Sequence, residues 1–234
     1  MNLYDKYFTL RNVSAARSSA FQIPPYILHS IPAKSSNIVD IGCGFGNMLL
    51  SLRQHGYINL RGIDISRQSI DHCSKNSLPV TLVNSIADFK LEEDKRADYV
   101  IMTHVLEHIP KEDIIETLAH IRRSILKVSG KLFLAVPNAQ SNTGCYWMYE
   151  DFTHHTLFTT GSLSFVLQAA GFSIVKYIDP DGLAGSTGFK RYARRALLTA
   201  YILNYRFWNK ITNSSFHTPS QAIFTFELKA LASN

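Results

Sequence analysis

The sequence predicts a doubly wound α/β fold: a largely parallel sheet with helices packed on both faces. Three observations point to it. Short apolar, strand-like segments alternate with helix-like ones between residues 36 and 137, a glycine-rich turn follows the first of these strands, and an acidic residue, Asp64, closes the second. Parallel strands need a crossover to bring the chain back, so regular alternation of strand and helix gives a layered sheet rather than a sandwich or a bundle.

Taken in order, residues 1–35 leave room for one helix before Ser36 to Ile41, an apolar run that reads as a buried strand. The turn after it opens a helix through Met48, Leu49, Leu50 and Leu52, with Gly56 as its stop. Leu60 to Asp64 is the second strand, and Ser66 is placed to cap a helix reaching about Asn76. Pro79 to Val83 and Ala97 to Met102 are the third and fourth strands. Pro110 suits the first turn of a helix whose Ile114, Leu118, Ile121 and Ile125 share one face, and Gly130 is the expected stop of that helix. Lys131 to Val136 is the fifth strand, cut off by Pro137. A loop-rich stretch with Trp147, His154 and His155 follows, then a helix from Thr160, its cap, to Ala170. A strand from Phe172 to Ile178, a basic segment and a last strand from Ala222 to Leu228 complete the chain. No repeat, low-complexity tract or linker divides it, so residues 1–234 are expected to form one domain, with 1–35 as an N-terminal helical segment or lid and 179–221 as an insertion.

Hydrophobic residues make up 46% of the chain and charged ones 18%, and no apolar run approaches the roughly 20 residues of a transmembrane helix. The first residues lack the basic start and apolar centre of a secretory signal. Three cysteines, Cys43, Cys73 and Cys145, are an odd number at irregular spacing, which suits reduced thiols and a cytoplasmic setting. The net charge is +6, but Lys190, Arg191, Arg194, Arg195, Arg206 and Lys210 stand together between residues 188 and 212 with no acid among them. One segment therefore holds the whole surplus, and no nucleic-acid partner is expected from it.

In a doubly wound sheet, ligands bind beyond the carboxyl ends of the strands, where strand order reverses. The first turn, Asp40-Ile41-Gly42-Cys43-Gly44-Phe45-Gly46, belongs at that edge, and its glycines let backbone approach a ligand without a Cβ in the way. Asp64 stands 22 residues after Gly42, near the separation at which an acid accepts from a ribose hydroxyl pair. Asn47 occupies the place of the third glycine in the dinucleotide pattern G-x-G-x-x-G, so the spacing here is G-x-G-x-G.

That spacing, with Asp40 two residues before the first glycine, resembles motif I of the class I S-adenosylmethionine-dependent methyltransferases. The similarity extends to Asp64, to the strand Asp98 to Met102, to Val105-Leu106-Glu107-His108-Ile109, which resembles the "LEH" element of the ubiquinone-type branch, and to Val136-Pro137-Asn138 at the end of the fifth strand. It covers roughly residues 37–178, and it implies that the last strand closes the sheet in an antiparallel β-hairpin. It also implies S-adenosylmethionine as cofactor, with Asp40, Gly42, Gly44 and Gly46 along the methionine moiety, Asp64 on the ribose, Ile65 packed on the adenine and His104 against the cofactor. The family often has an acid after the third strand for the adenine amino group. Here the segment reads Asn84-Ser85-Ile86-Ala87-Asp88, so Ser85 aligns best, with Ile86 supplying a backbone N–H.

Methyl transfer from a sulfonium is an in-line displacement that asks mainly for alignment and exclusion of water, and an alcohol acceptor adds a proton to be removed. His108 and His154 are the candidate bases. The segment Asp151-Phe152-Thr153-His154-His155-Thr156-Leu157-Phe158-Thr159 resembles the "D-x-T-H-x-x-x-F-T" stretch of bacterial methyltransferases encoded with polysaccharide genes, which implies that His154 works from the loop above the cofactor; a purely structural role in starting the next helix is the competing reading, and His155 is the second choice. Glu107 and His108 are metal-ligand types found in some ubiquinone-type relatives, yet two adjacent residues do not make a site, and no metal is expected. Tyr4, Tyr7 and Phe8 are candidates for a lid, and Trp147 and Tyr149 for stacking on a sugar ring.

Residues 189–210 read as a helix with three possible uses: packing on its own domain or across a homodimer, lying on an anionic membrane, or pairing its arginines with phosphate. The expected activity is O-methylation of a sugar hydroxyl in a polysaccharide or its activated or lipid-linked precursor. Methylation of a lipid phenol such as a quinone precursor is the first alternative, and a nonenzymatic binding module that has kept the fold is the second.

Overall fold

The computed structural model describes residues 21–214 and 222–234. Its centre is β1 (Ile38–Ile41), buried at every position, as a strand covered on both faces must be. Parallel neighbours flank it: β2 (Leu60–Asp64) and then β3 (Val80–Leu82) on one side, β4 (Ala97–Thr103) and β5 (Leu126–Pro137) on the other. β7 (Glu227–Ser233) inserts antiparallel between β5 and β6 (Ile174–Tyr177), which gives the seven-stranded order β3-β2-β1-β4-β5-β7-β6. The doubly wound sheet with its terminal antiparallel hairpin is therefore present.

Alternation along the strands sorts two cores. Val39, Ile41, Val100, Met102, Leu132 and Leu134 face one side, where α4 (Ile114–His120) and α6 (Thr160–Ala169) cover them with Leu118, Leu163 and Leu167. Ile38, Tyr99, Ile101 and Phe133 face the other, under α1 (Pro25–Ser30), α2 (Asn47–Gln54) and α3 (Arg67–Lys75), which contribute Ile27, Leu49, Leu52 and Ile70. Ser66 caps α3 as anticipated, accepting from the Ser69 N–H at 3.2 Å.

Several boundaries differ from the sequence reading, each for a local reason. The helical run after Pro110 starts at Ile114 and ends at Ile125 in one wide π turn, so Gly130 is not its stop but lies within β5. There a Cβ would sit 2.9 Å from the Ala97 carbonyl oxygen, beside the register shift between β4 and β5; glycine is needed for the close approach of two strands. Thr159, not Thr160, caps α6, its hydroxyl accepting from the Ser162 N–H. The loop-rich stretch after Pro137 contains a short helix, α5 (Gly144–Glu150). The basic segment is one continuous helix, α7 (Gly188–Ile211). The lid candidates Tyr4, Tyr7 and Phe8 lie outside the described residues.

The last strand begins at Glu227, five residues later than expected. Three of the carbonyls between Ile223 and Phe226 are taken instead by one side chain and its backbone. Asn138, fully buried, donates its amide to Ile223 O (2.9 Å) and Thr225 O (2.8 Å) and its N–H to Phe226 O (2.9 Å), while its Oδ1 accepts from Gln140 N–H (2.9 Å). Replacement Asn138→Ala leaves at least two buried carbonyls unsatisfied. Urea unfolding should show a loss of roughly 2–4 kcal/mol; a change below about 0.5 kcal/mol, the usual size of surface effects, would mean that Asn138 does not hold the entry to β7.

Candidate active site

The turn after β1 is built on three left-handed glycines, Gly42, Gly44 and Gly46, with φ of 72°, 50° and 81°. They serve different ends. A Cβ on Gly42 would lie 2.2 Å from Val105 Cγ2, and one on Gly46 would lie 2.4 Å from Leu78 Cδ1, so these two positions are closed by packing. A Cβ on Gly44 would meet nothing within 4 Å; it would project into the open cleft. The turn is pinned to β2 from below, since the Gly42 and Cys43 N–H groups donate to Ile63 O at 2.8 and 3.1 Å. From the side, Asp64 accepts from Gly44 N–H and from Ser66 N–H, both at 2.8 Å. Asp40 lies beneath the turn, 2% exposed, and burial together with the nearby Asp64 charge holds its carboxyl well above the usual carboxylate range.

The cleft in front of Gly44 is a cavity of about 680 Å³, within the size range of small-molecule sites. Of the residues singled out from the sequence, Gly42, Gly44, Asp64, Ile65, Ser85, Ile86, His104 and His108 line it; Asp40, Gly46 and His154 are not among its lining residues. Ser85 opens a short 3-10 turn, its hydroxyl accepting from Ala87 N–H and its N–H donating to Asp88. One wall escaped the sequence reading: Asp113, Glu116, Thr117 and His120. Their spacing puts them on the polar stripe of α4 opposite Ile114, Leu118 and Ile121, so the signal was present in the helix periodicity but had been read only for its apolar half.

Beside the cavity the loop after α5 meets the turn after β4. His155 N–H donates to Glu107 O at 2.8 Å, which draws the neighbouring His154 against Glu107. The rings of His108 and His154 are in contact, tilted by 59° with centroids 4.7 Å apart. Thr153 Oγ1 donates to Asp151 Oδ1 (2.6 Å) and so accepts from His108 Nδ1 (2.9 Å), which leaves the lone pair on His108 Nε2. His154 Nδ1 donates to Trp147 O at 2.8 Å, and its Nε2 stands 3.8 Å from Asp151 and 4.0 Å from Glu107. Burial pushes the His108 pKa down, and the adjacent His154 adds to this against the opposing pull of Glu107 and Asp151. His104, in a left-handed conformation (φ 54°), behaves oppositely. Loss of water alone would lower its pKa, but the carboxylates of Glu107 (3.4 Å) and Glu227 (3.2 Å) outweigh that and push it up to about 10.

The Glu107 carboxylate is fully buried; among the described residues it meets His104 at 3.4 Å but accepts no well-formed hydrogen bond, and Glu107, His108 and His154 each offer one ligand atom within 4.8 Å of the others. Folding thus brings a third ligand, His154, to the pair Glu107 and His108 that lie side by side in the sequence. The cluster has the donor set for a divalent cation.

Gly44→Ala and Gly42→Ala separate the two uses of glycine in the turn. Calorimetric titration should show Gly44→Ala weakening S-adenosylmethionine binding by about tenfold or more, with the melting temperature lowered by only a few degrees. Gly42→Ala should instead lower the melting temperature the more of the two. Unaltered affinity in Gly44→Ala would remove this edge of the cavity from the cofactor site.

Comparison with known proteins accords with this geometry. A family model described as a methyltransferase domain matches residues 15–177, more than half of the chain. The ubiquinone biosynthesis O-methyltransferase of Coxiella burnetii is 29% identical over 118 residues, 48% of each chain, and that of Rickettsia typhi is 30% identical over 101 residues, 41% of this chain and 40% of the relative. The chain therefore matches these curated relatives over about half their length or less. Among solved structures, an S-adenosylmethionine-dependent methyltransferase from Archaeoglobus fulgidus shares the fold over the full length of both chains, with a TM-score of 0.64 at 22% identity. Phosphoethanolamine N-methyltransferase 2 of Haemonchus contortus, solved with S-adenosylmethionine, superposes with a TM-score of 0.54 at 14% identity over 89% of this chain and 50% of its own. A glycine turn closed by packing at two positions and open at the third, on a sheet of this order and under this family model, places the chain among the class I S-adenosylmethionine-dependent methyltransferases.

Proposed function

We propose that this enzyme methylates a hydroxyl oxygen of a phenolic, lipid-type acceptor, with His108 as the base. The observation behind the choice of base is that His108 lines the cavity while the Asp151-Thr153 pair fixes its hydrogen on Nδ1, which makes Nε2 the basic nitrogen of the ring. His154, which the sequence resemblance favours, lies behind it with Nδ1 tied to the Trp147 carbonyl. Its ring packs on that of His108, and its part is to position the base.

The turn holds the cofactor: Gly44 gives it room, Asp64 presents its carboxylate at the cavity wall to the ribose hydroxyls, and Ile65 and Ile86 flank the adenine. Bound there, S-adenosylmethionine supplies an electrophilic methyl group on a sulfonium sulfur. Ser85, whose hydroxyl oxygen accepts from Ala87, offers its hydrogen to the base edge. The residues of the chain orient the acceptor oxygen, keep water out and remove its proton as the new bond forms.

Two considerations favour a phenol over a sugar hydroxyl. Curated relatives act in ubiquinone biosynthesis by their names. A histidine whose basicity burial has reduced is also better matched to a phenol, of pKa about 10, than to an aliphatic alcohol, which is less acidic. The sugar reading rests on the resemblance of Asp151 to Thr159 alone. Incubation with cofactor labelled on its methyl group should mark a catechol-bearing lipid and leave sugar acceptors blank; label in the sugars alone would reverse the assignment.

His108→Ala should lower kcat by about 100-fold or more while cofactor affinity stays within error. Thr153→Val, which removes the side-chain acceptor for Nδ1 and leaves the backbone carbonyl of residue 153 at 3.3 Å, should give an intermediate loss. Because the neutral ring is the active form and its pKa is depressed, kcat should rise with pH through a point below 6.5 and be level at neutrality. A rise centred above 6.5, or full activity in His108→Ala, excludes His108 as the base.

A further inference from the structure

We propose that α7 is a docking helix that lies on an anionic lipid bilayer and holds the catalytic edge of the sheet against it. The proposal stands apart from the acceptor assignment, since it rests on a surface outside the cavity.

No residue of this 24-residue helix is buried. One side touches the domain: Tyr201 and Tyr205 pack on Phe224 with centroids 5.5 and 4.8 Å away, the Tyr201 hydroxyl donates to Asn142 at 2.7 Å, and Arg191 and Arg194 donate to the carbonyls of Leu183 and Gly182. The opposite side follows from a 100° step per residue. Phe189, Ala196, Ala200, Leu203, Phe207 and Ile211 fall on one stripe pointing away from the domain, and its four large side chains are 56–86% exposed. Lys190 and Trp208 border the stripe on one flank, Arg206 and Lys210 on the other. Among the described residues, no acid pairs with Lys190, Arg206 or Lys210.

An outward apolar stripe flanked by cations is what an interfacial helix presents to a charged membrane, with side chains in the acyl boundary and cations among the headgroups. The charge pattern decides between occupants. A second copy of the chain would bring two faces of the same sign together, whereas anionic lipid supplies the opposite charge and the apolar phase at once. None of the described helices is long and apolar enough to cross a membrane, so contact would be along the surface.

Topology fixes where such a contact would act. Asn142 follows the carboxyl end of β5, Gly182 follows that of β6, and Phe224 precedes the start of the antiparallel β7. All three lie at the edge of the sheet that carries the glycine turn after β1. The helix is fastened to the active-site rim rather than to the far end of the sheet.

The test is sedimentation of the full chain with phosphatidylcholine vesicles, with and without phosphatidylglycerol, in a Trp147→Phe background. There Trp208 is the one tryptophan left of two and reports on α7. Binding to the phosphatidylglycerol vesicles at low salt, weakened by added salt, with a blue shift of Trp208 emission, is expected. The triple change Lys190→Glu, Arg206→Glu, Lys210→Glu should weaken it by about tenfold or more, each cation near such a surface being worth roughly fivefold. The pair Phe189→Ala, Phe207→Ala should abolish the blue shift. Cofactor binding, in a cavity that no residue of α7 lines, checks that each variant is folded; should the aromatic pair fail that check, the charge reversal alone decides. Absence of binding at low salt, equal binding to neutral vesicles, or binding that the folded variants keep would overturn the proposal. So would concentration-dependent dimerisation lost in the same variants without vesicle binding, which would make the stripe a contact between copies.

Discussion

The carboxylate of Asp64 accepts from the Gly44 N–H with one oxygen and from the Ser66 N–H with the other, and by doing so fixes the turns after β1 and β2 against each other. Much of the catalytic edge hangs on this. Gly44 can keep its left-handed conformation in open space because its N–H is held; Ser66 can cap α3 because its own N–H is oriented; and the two turns together form the near wall of the cavity. The arrangement has an electrostatic cost, visible in Asp40, whose carboxyl is driven toward its neutral form by burial and by the charge of Asp64. Two acids under one turn are tolerated when one of them gives up its charge.

A second set of contacts assembles the opposite side. Asp151, Thr153 and His108 form a chain in which each hydrogen bond dictates the direction of the next, so a loop residue two bonds removed sets which ring nitrogen carries the proton. His104 and His108, four residues apart, end with opposite protonation preferences because Glu107 and Glu227 flank the first while burial governs the second. Glu227 is itself held low by His104 and by Lys229, although burial alone would raise it. Lys229 in turn reaches Asp179 at 2.9 Å, so the charges of the rim run continuously into β7.

The parts of this molecule that could be read from the chain are those in which local sequence is its own environment. The glycine spacing, the Ser66 cap and the Ile114, Leu118, Ile121, Ile125 stripe all act within one turn or one helix, and the structure keeps them. Gly130 and the start of β7 were misplaced because their conformations answer to partners far along the chain: Ala97 crowds the first, and Asn138 claims the carbonyls ahead of the second. His154 illustrates the same limit. Its motif was legible, but its depth depends on a bond from His155 to Glu107 across the fold, and no local pattern encodes that. The polar face of α4 was available and was passed over, because periodicity is usually read for what it buries.

The antiparallel entry of β7 has a further consequence. Because β7 slots between β5 and β6, the connection that precedes it begins and ends on the same rim, and its length does not affect the register of any strand pair. Lengthening a connection with fixed ends costs only about 0.6 kcal/mol per doubling. The β6–β7 crossing is thus a permissive insertion point: whole helices can be gained or exchanged there at little risk to folding, and each arrives on the rim that carries the glycine turn.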